Sequence, residues 1–489
     1  MKSKTKAFIL TGLLFAFAAN EGATFAQGTS TQAVLSFEQS NFVDMPIWVY
    51  VKFPTEEQSQ RANLRYPFSG EPWSFGLYDF EVTRDGKPLE KLPVARLNFS
   101  MGGLVGGSAA PPSSPKNRLP LHLHYGLDKS GSYLVRLVKY DFMDFEKKKP
   151  EPLSEWTKLE IRAGDAKKRQ AWLKETVAHP PKDNGKIVGD FLPSLLAKPD
   201  AEVLPTVLEY IHHPDAQDFA VYSLWCFDDA MVKREIPLLI RKKGATDFLA
   251  HYLTWRRDLF QPVAHEIADS LIPFLKSKSA TEVGGTLRAL GFMYQGYFSW
   301  KEHPEIPEKI EKAAADALPH ILSFREREVL QPLCLMAQVF KPDQRRDLLR
   351  RLSAEGSSTR EQALICLPWC KDARDLPYLE KALYDKDGAG SSLPYQMRKA
   401  YGRDALPILI KAMKAATDRR TRVECAKELA LENEPEAFAF FRWAIEQEGY
   451  YREQTTQIIR DHFEGQREKS AEDISKFLDE KIHSQSRDK

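Results

Sequence analysis

The sequence predicts a multidomain chain: an N-terminal antiparallel β-sandwich over residues 33–163, then an all-α solenoid of helical hairpins over residues 166–485. Three observations predict it. Between Ala33 and Ala163, β-branched and aromatic residues alternate with polar ones and are broken by turn residues. From Asp165 on, that alternation gives way to Ala, Leu, Glu, Lys and Arg at helical spacing. A short phrase, Leu or Ile, then Pro, then an apolar residue two places on, recurs through the second part.

The first residues stand outside both domains. Lys2, Lys4 and Lys6 precede a short apolar stretch from Ala7 to Ala19, and small residues follow. This is the pattern of a secretory signal peptide over residues 1–26, cleaved after Ala26, with Ala16-Phe17-Ala18 as a rival site. The stretch is too short for a stable membrane span, and no later segment is long and apolar enough. The mature protein is expected to be periplasmic or secreted, from a bacterium. Residues 1–26 carry three Lys and one Glu, so the formal charge of +2 falls to zero without them. A neutral chain argues against nucleic acid, which is bound through a clustered positive field. Export permits disulfides. Yet Cys226, Cys334, Cys366, Cys370 and Cys425 are odd in number and sit among apolar neighbours, as small buried side chains do. The spacing of Cys366 and Cys370 fits neither a zinc ribbon nor a redox pair.

In the β region, Ile47–Val51 is β-branched and aromatic, and Phe80–Thr83 runs into Asp85-Gly86, a hairpin turn signal. Leu119–Tyr125 alternates, with Leu121, Leu123 and Tyr125 on one face and His122 and His124 on the other, expected to be the solvent face. Tyr133–Val138 and Trp156–Ile161 follow, which makes about seven short strands. Asp128-Lys-Ser-Gly131-Ser-Tyr133 is a turn leading into a strand-entry tyrosine. It resembles the tyrosine corner of immunoglobulin-like domains, where the phenol bonds upstream backbone. That resemblance implies an architecture and no particular ligand. Ser100–Pro115 is rich in Gly, Ala, Pro and Ser. Its prolines deny a phosphate the helix N-terminus it would need, so the segment reads as a loop between strands.

In the helical region the Pro phrase occurs at Leu192, Leu204, Ile236, Ile272, Leu318, Leu376 and Leu406. Proline suits a first helical turn, where its missing N–H is not needed. Apolar residues three and six or seven places on then share one face, as in Leu406, Leu409, Ala412 and Met413. At Ile236 and Ile272 the Pro follows helix-forming residues, which predicts kinks there. A second series interleaves: Thr359-Arg360, Thr421-Arg422 and Tyr451-Arg452, each with an apolar residue seven after the Arg. The two series repeat about every 31 residues as pairs of antiparallel helices. At these residues, best over 357–448, the chain resembles the HEAT-repeat family, in the short bacterial type also found in phycobilin lyases. The resemblance implies an α-solenoid with a concave binding surface. It does not imply lyase chemistry, because most such arrays are non-enzymatic.

Motifs for chemistry are sparse. His265-Glu266-x-x-Asp269 falls short of the His-Glu-x-x-His of zinc proteases at the second ligand. There is no Gly-x-Ser-x-Gly, no phosphate-binding loop and no paired-Cys metal site, so no cofactor, metal or catalytic residue is expected. His212-His213 ends a helix, where a basic group suits the negative end. Basic runs such as Lys147–Lys149 and Arg419-Arg420 suit solvated faces or helix starts. Gly291–Trp300 is the most aromatic stretch and suits either a platform for a peptide or sugar or a helix end packed on its neighbour. The expected function is therefore non-enzymatic: an exported scaffold that binds a protein partner on the concave face. Glu380, Lys381, Lys411, Arg442 and Trp300 are the contact candidates. A glycan- or envelope-binding module, and a hydrolase or lyase with a cryptic site, are the alternatives.

Overall fold

A computed structural model describes residues 33–38, 41–53, 77–90, 92, 118–140, 150–354, 357, 359–385, 392–463, 466 and 469–487. The proposed signal peptide, the loop Ser100–Pro115 and the run Lys147–Lys149 lie outside the described residues. A β region is followed by a largely helical one, and the change falls between Arg162 and Ala166. The chain divides into two compact units, Met1–Ile236 and Pro237–Lys489.

In the first unit, β1 (Val34–Phe37), β3 (Trp48–Lys52) and β6 (Arg118–Pro120) form one antiparallel sheet in the order β1-β3-β6. The other sheet is built from β2 (Asn41–Phe42), β4 (Leu77–Arg84), β5 (Lys87–Pro88), β7 (Gly131–Tyr140), β8 (Glu151–Pro152) and β9 (Thr157–Arg162). Its order is β2-β9-β7-β4-β5, and β8 pairs with β7. All these pairings are antiparallel except β2 with β9. The alternation read from sequence sets which faces meet: Leu159 and Ile161 are buried while Lys158, Glu160 and Arg162 are exposed. Val49, Val51 and Leu119 from the first sheet join Phe80, Val82, Val135, Leu137 and Leu159 from the second in one core. Asp85 and Gly86 both have positive φ, 51° and 71°, as a two-residue hairpin turn requires. The Tyr133 hydroxyl donates to the Lys129 carbonyl at 2.7 Å, the upstream bond its turn anticipates.

One stretch departs from the expectation. Beyond Pro120 the chain leaves the sheet, and Leu121–Leu123 form a 3₁₀ turn rather than a strand. His122 is therefore buried and not on a solvent face. Its Nδ1 lies 3.1 Å from the Ile47 nitrogen and 3.0 Å from the Ile47 carbonyl oxygen, and its Nε2 lies 2.9 Å from the Pro193 carbonyl oxygen. The His124 ring lies edge-on to Phe80. Beside His122, the Arg118 guanidinium stacks 3.9 Å from the Trp48 ring centroid and reaches Asp190 at 2.5 Å. These contacts fasten the β region to the helical stretch 184–195, where a π-helical turn, Ile187–Phe191, runs into the helix Leu192–Leu195.

In the second unit the helices form two interleaved series. Asp247–Trp255, Ala280–Phe292, Arg327–Met336, Arg360–Cys366, Leu393–Tyr401, Arg419–Leu431 and Tyr450–His462 each touch the next of that series. Between them, Ala264–Leu271 touches Glu305–Ile321, Leu376–Ala382 touches Leu406–Ala415, and Pro435–Glu446 touches Ala471–Arg487. Side chains cap the starts: Thr246, Ser279 and Asp418 accept from backbone N–H groups two or three residues on. Prolines at the Leu-Pro phrase stand in the first turn of helices at Leu204, Leu376 and Leu406, whereas Pro193 lies where the π-helical turn passes into Leu192–Leu195. Pro319 is different. It lies in the last turn of Glu305–Ile321, because Ile306, Ile310, Ala314 and Ala317 already form a buried stripe upstream. Pro237 lies within the helix Asp229–Lys243, and Ile272 begins a 3₁₀ turn.

The Arg series has a structural role. Arg360 Nη1 donates to the Ser353 carbonyl at 2.5 Å, Arg422 Nε to Met413 at 2.8 Å and Arg452 Nε to Ile445 at 2.9 Å. Arg345, outside the sequence pattern, does the same to Ala337 at 3.2 Å and Gln338 at 2.8 Å. In each case an arginine early in one helix satisfies carbonyls that end the element before it. Leu367, Leu429 and Ile459, seven residues after the Args, are fully buried. Helix Ala280–Phe292 is pressed closest. A Cβ on Gly284 would stand 2.1 Å from the Glu328 carbonyl oxygen, and one on Gly285 would stand 2.0 Å from that of Ala245.

Burial holds the His122 imidazole below its ordinary range, although its bonds to Pro193 and Ile47 pull the other way. The folded chain keeps it neutral, while the unfolded chain protonates near pH ~6.5. Below that pH the unfolded state binds more protons, so stability is present above it and declines as pH falls toward the folded value. Urea midpoints against pH should show this decline, and His122→Gln should flatten it. His122→Ala should cost about 2–4 kcal/mol at neutral pH, since it strands buried backbone groups at Ile47 and Pro193.

Candidate functional site

Three short elements bring cations together. Helix Pro342–Leu352 begins with its proline in the first turn and carries Arg346 and Arg350 one turn apart on one face. Both reach Asp375, which ends a 3₁₀ turn, Ala373–Asp375, just before Leu376–Ala382. Asp375 is fully buried. It accepts from Arg346 Nε at 3.0 Å and from Arg350 Nε at 2.7 Å, a carboxylate compensated from two sides. Arg350 Nη2 also donates to the Arg374 carbonyl at 3.1 Å. Nearby, Arg374 is bonded to Asp372 and holds that carboxyl down at about 2.

Next to this network Arg360 pairs with Asp385 while holding the Ser353 carbonyl. Tyr378 donates to that same carbonyl at 2.9 Å, and its ring lies 5.3 Å from the Arg350 guanidinium. Arg350, Arg360, Lys381 and Tyr378, with Ala354 and Ala382, line a cavity of about 330 Å³. The counter-carboxylates Asp375 and Asp385 are not among its lining residues. The arrangement sets two guanidiniums, each oriented by a neighbouring acid, beside an ammonium at the exposed edge and a phenol, the groups that suit an anionic ligand.

Of the contact candidates, only Lys381 lines this cavity. Glu380 and Lys411, on consecutive helices of one series, are brought together and pair at 3.3 Å. Arg442 is held elsewhere, by Asp479 at 2.8 Å and Glu446 at 2.5 Å. Trp300 is half-buried, with its Nε1 donating to the Met293 carbonyl at 3.2 Å and its ring beside Phe298. Sequence reading missed Arg350, Tyr378 and Asp375. The signal available was weak: the Arg346/Arg350 spacing, and Arg360 as a member of the repeat.

The remaining features are accounted for locally. Asp269 pairs with Lys309 at 2.5 Å, and His265 stacks on His303 with ring centroids 4.0 Å apart. Among the described residues, no group of three His, Cys, Asp or Glu is arranged to hold a metal ion. All five cysteines are free, and burial pushes the Cys226 and Cys366 thiols up to about 12. No helix among the described residues is long and apolar enough to cross a membrane. Compared with known protein families and with curated proteins, the chain matches none.

Removing the charge of the fully buried Asp375 leaves the partly exposed Arg346 and Arg350 without their shared counter-charge. Asp375→Asn should destabilise the second unit by about 3–5 kcal/mol in denaturant unfolding, the usual cost of breaking a buried pair from one side.

Proposed function

We propose that the chain is an exported, non-enzymatic scaffold: an immunoglobulin-like β-sandwich, then a HEAT-like α-solenoid that binds a protein partner. The observation that supports this reading best is the two interleaved helix series: each helix of the first rests on the next, and helices of the second meet in three successive pairs. Stacked pairs of this kind bury a continuous core and leave polar residues in register along one face. The ion pair between Glu380 and Lys411, 31 residues apart in sequence, is one such rung. The bond from Tyr133 to Lys129 supports the immunoglobulin-like reading of the β region. The signal-peptide pattern supports a periplasmic or secreted location.

The test is capture from a periplasmic extract with residues 27–489 as bait, using a lysine-reactive crosslinker and mass spectrometry. The expected result is one protein retained in near-equal amount, with crosslinks on Lys381 or Lys411. No specific protein, or crosslinks confined to the β region, would count against the scaffold or against the helical face as its surface.

A further inference from the structure

Resting on the scaffold reading, we infer that the cavity lined by Arg350, Arg360, Tyr378 and Lys381 receives an acidic side chain of the partner polypeptide. Among the described residues the lining is three cations, a phenol and two alanines. Arg350 and Arg360 are not loose surface charges. Each is fixed by an acid, Arg350 by the fully buried Asp375 and Arg360 by the partly exposed Asp385. Each is also fixed by backbone carbonyls, Arg374 and Ser353. Arg350 spends its Nε and Nη2 in this way, and its Nη1 makes no hydrogen bond among the described residues. A guanidinium held so presents its remaining N–H groups with little orientational freedom to lose on binding.

The walls select within anions. Ala354, Ala382 and the Tyr378 ring offer apolar surface beside the charges. A Glu or Asp side chain uses both: the planar carboxylate meets the guanidiniums, and its methylene stem meets the alanines and the ring. A bare phosphate would use the charges alone. The volume, about 330 Å³, is at the small end for ligand sites and holds one or two side chains. Lys381 stands exposed at the end of Leu376–Ala382, where an approaching acidic segment meets it first. It is one residue from Glu380, whose partner is Lys411 on the following helix of that series.

The experiment uses the full mature chain and a fluorescein-labelled, capped decapeptide of alternating Glu and Ala, followed by anisotropy. The Gln/Ala counterpart and inorganic phosphate are the comparison probes. The expected result is saturable binding of the Glu peptide, weakened at least tenfold by Lys381→Glu. Ala354→Leu, which fills the cavity without touching a charge, should weaken it as much. The Gln peptide should bind at least tenfold more weakly. No binding of the Glu peptide overturns the inference, as does unchanged binding by the Ala354→Leu chain. Displacement by phosphate at concentrations equal to the peptide's would make this a site for a free anion and overturn the polypeptide assignment. Circular dichroism of both variants checks that they are folded. The periplasmic capture separates the two readings: a partner still retained by the Ala354→Leu chain leaves the scaffold standing while this assignment falls.

Discussion

Everything in the second unit depends on one constraint: a helix with a single apolar stripe is stable only when another helix covers that stripe. Isolated helices as short as most found here, such as Leu376–Ala382 and Leu406–Ala415, are marginal in water. Helices of the first series are covered by neighbours in that series, and the others by adjoining helices and turns. The constraint is tightest at Gly284 and Gly285, where helix Ala280–Phe292 touches the backbone at Glu328 on one side and Ala245 on the other. Stacking also demands fixed turns. The arginines 345, 360, 422 and 452 supply them by bonding carbonyls at the end of the preceding element. Such charge-assisted bonds contribute roughly 1.5–3 kcal/mol each where solvent is partly excluded.

The candidate cavity is a consequence of those turns rather than an addition to them. Arg360 is there because the chain must close after Ser353, and Arg350 is there because Asp375 is buried. The same bonds that hold the turn aim the guanidiniums into one small space beside Tyr378 and Lys381. Where the first helices meet the β region, within the first unit, a similar economy holds. His122 answers backbone groups of both Ile47 and Pro193, and Arg118 ties Trp48 to Asp190.

What the sequence made legible was local and periodic. The Asp85-Gly86 turn, the alternation in Thr157–Arg162, the helix starts at Leu376 and Leu406, and the Arg marks at 360, 422 and 452 all follow from residue type and spacing. The stretch Leu119–Tyr125 misled because alternation continues across Pro120, while the backbone does not stay extended there. His122 is buried by tertiary contacts that no spacing encodes. Leu318-Pro319 misled for the opposite reason, since a strong upstream stripe absorbed the phrase into a helix end. The cavity was nearly invisible. Arg350, Arg360 and Tyr378 come from three separate elements; of the lining residues only Lys381 is a contact candidate from sequence, and Arg360 is marked there only as a member of the repeat. Buried carboxylates such as Asp375, and close approaches such as Gly285, leave no periodic trace.

The stacking account is tested most directly by hydrogen exchange on the Gly285→Ala chain. A methyl there cannot coexist with the Ala245 carbonyl at its present position, so helix Ala280–Phe292 must shift. The account predicts that amide protection falls together in Ala280–Phe292, Asp247–Trp255 and Arg327–Met336, while Leu406–Ala415 and Pro435–Glu446 keep theirs. Loss confined to Ala280–Phe292, or protection unchanged throughout, would contradict it.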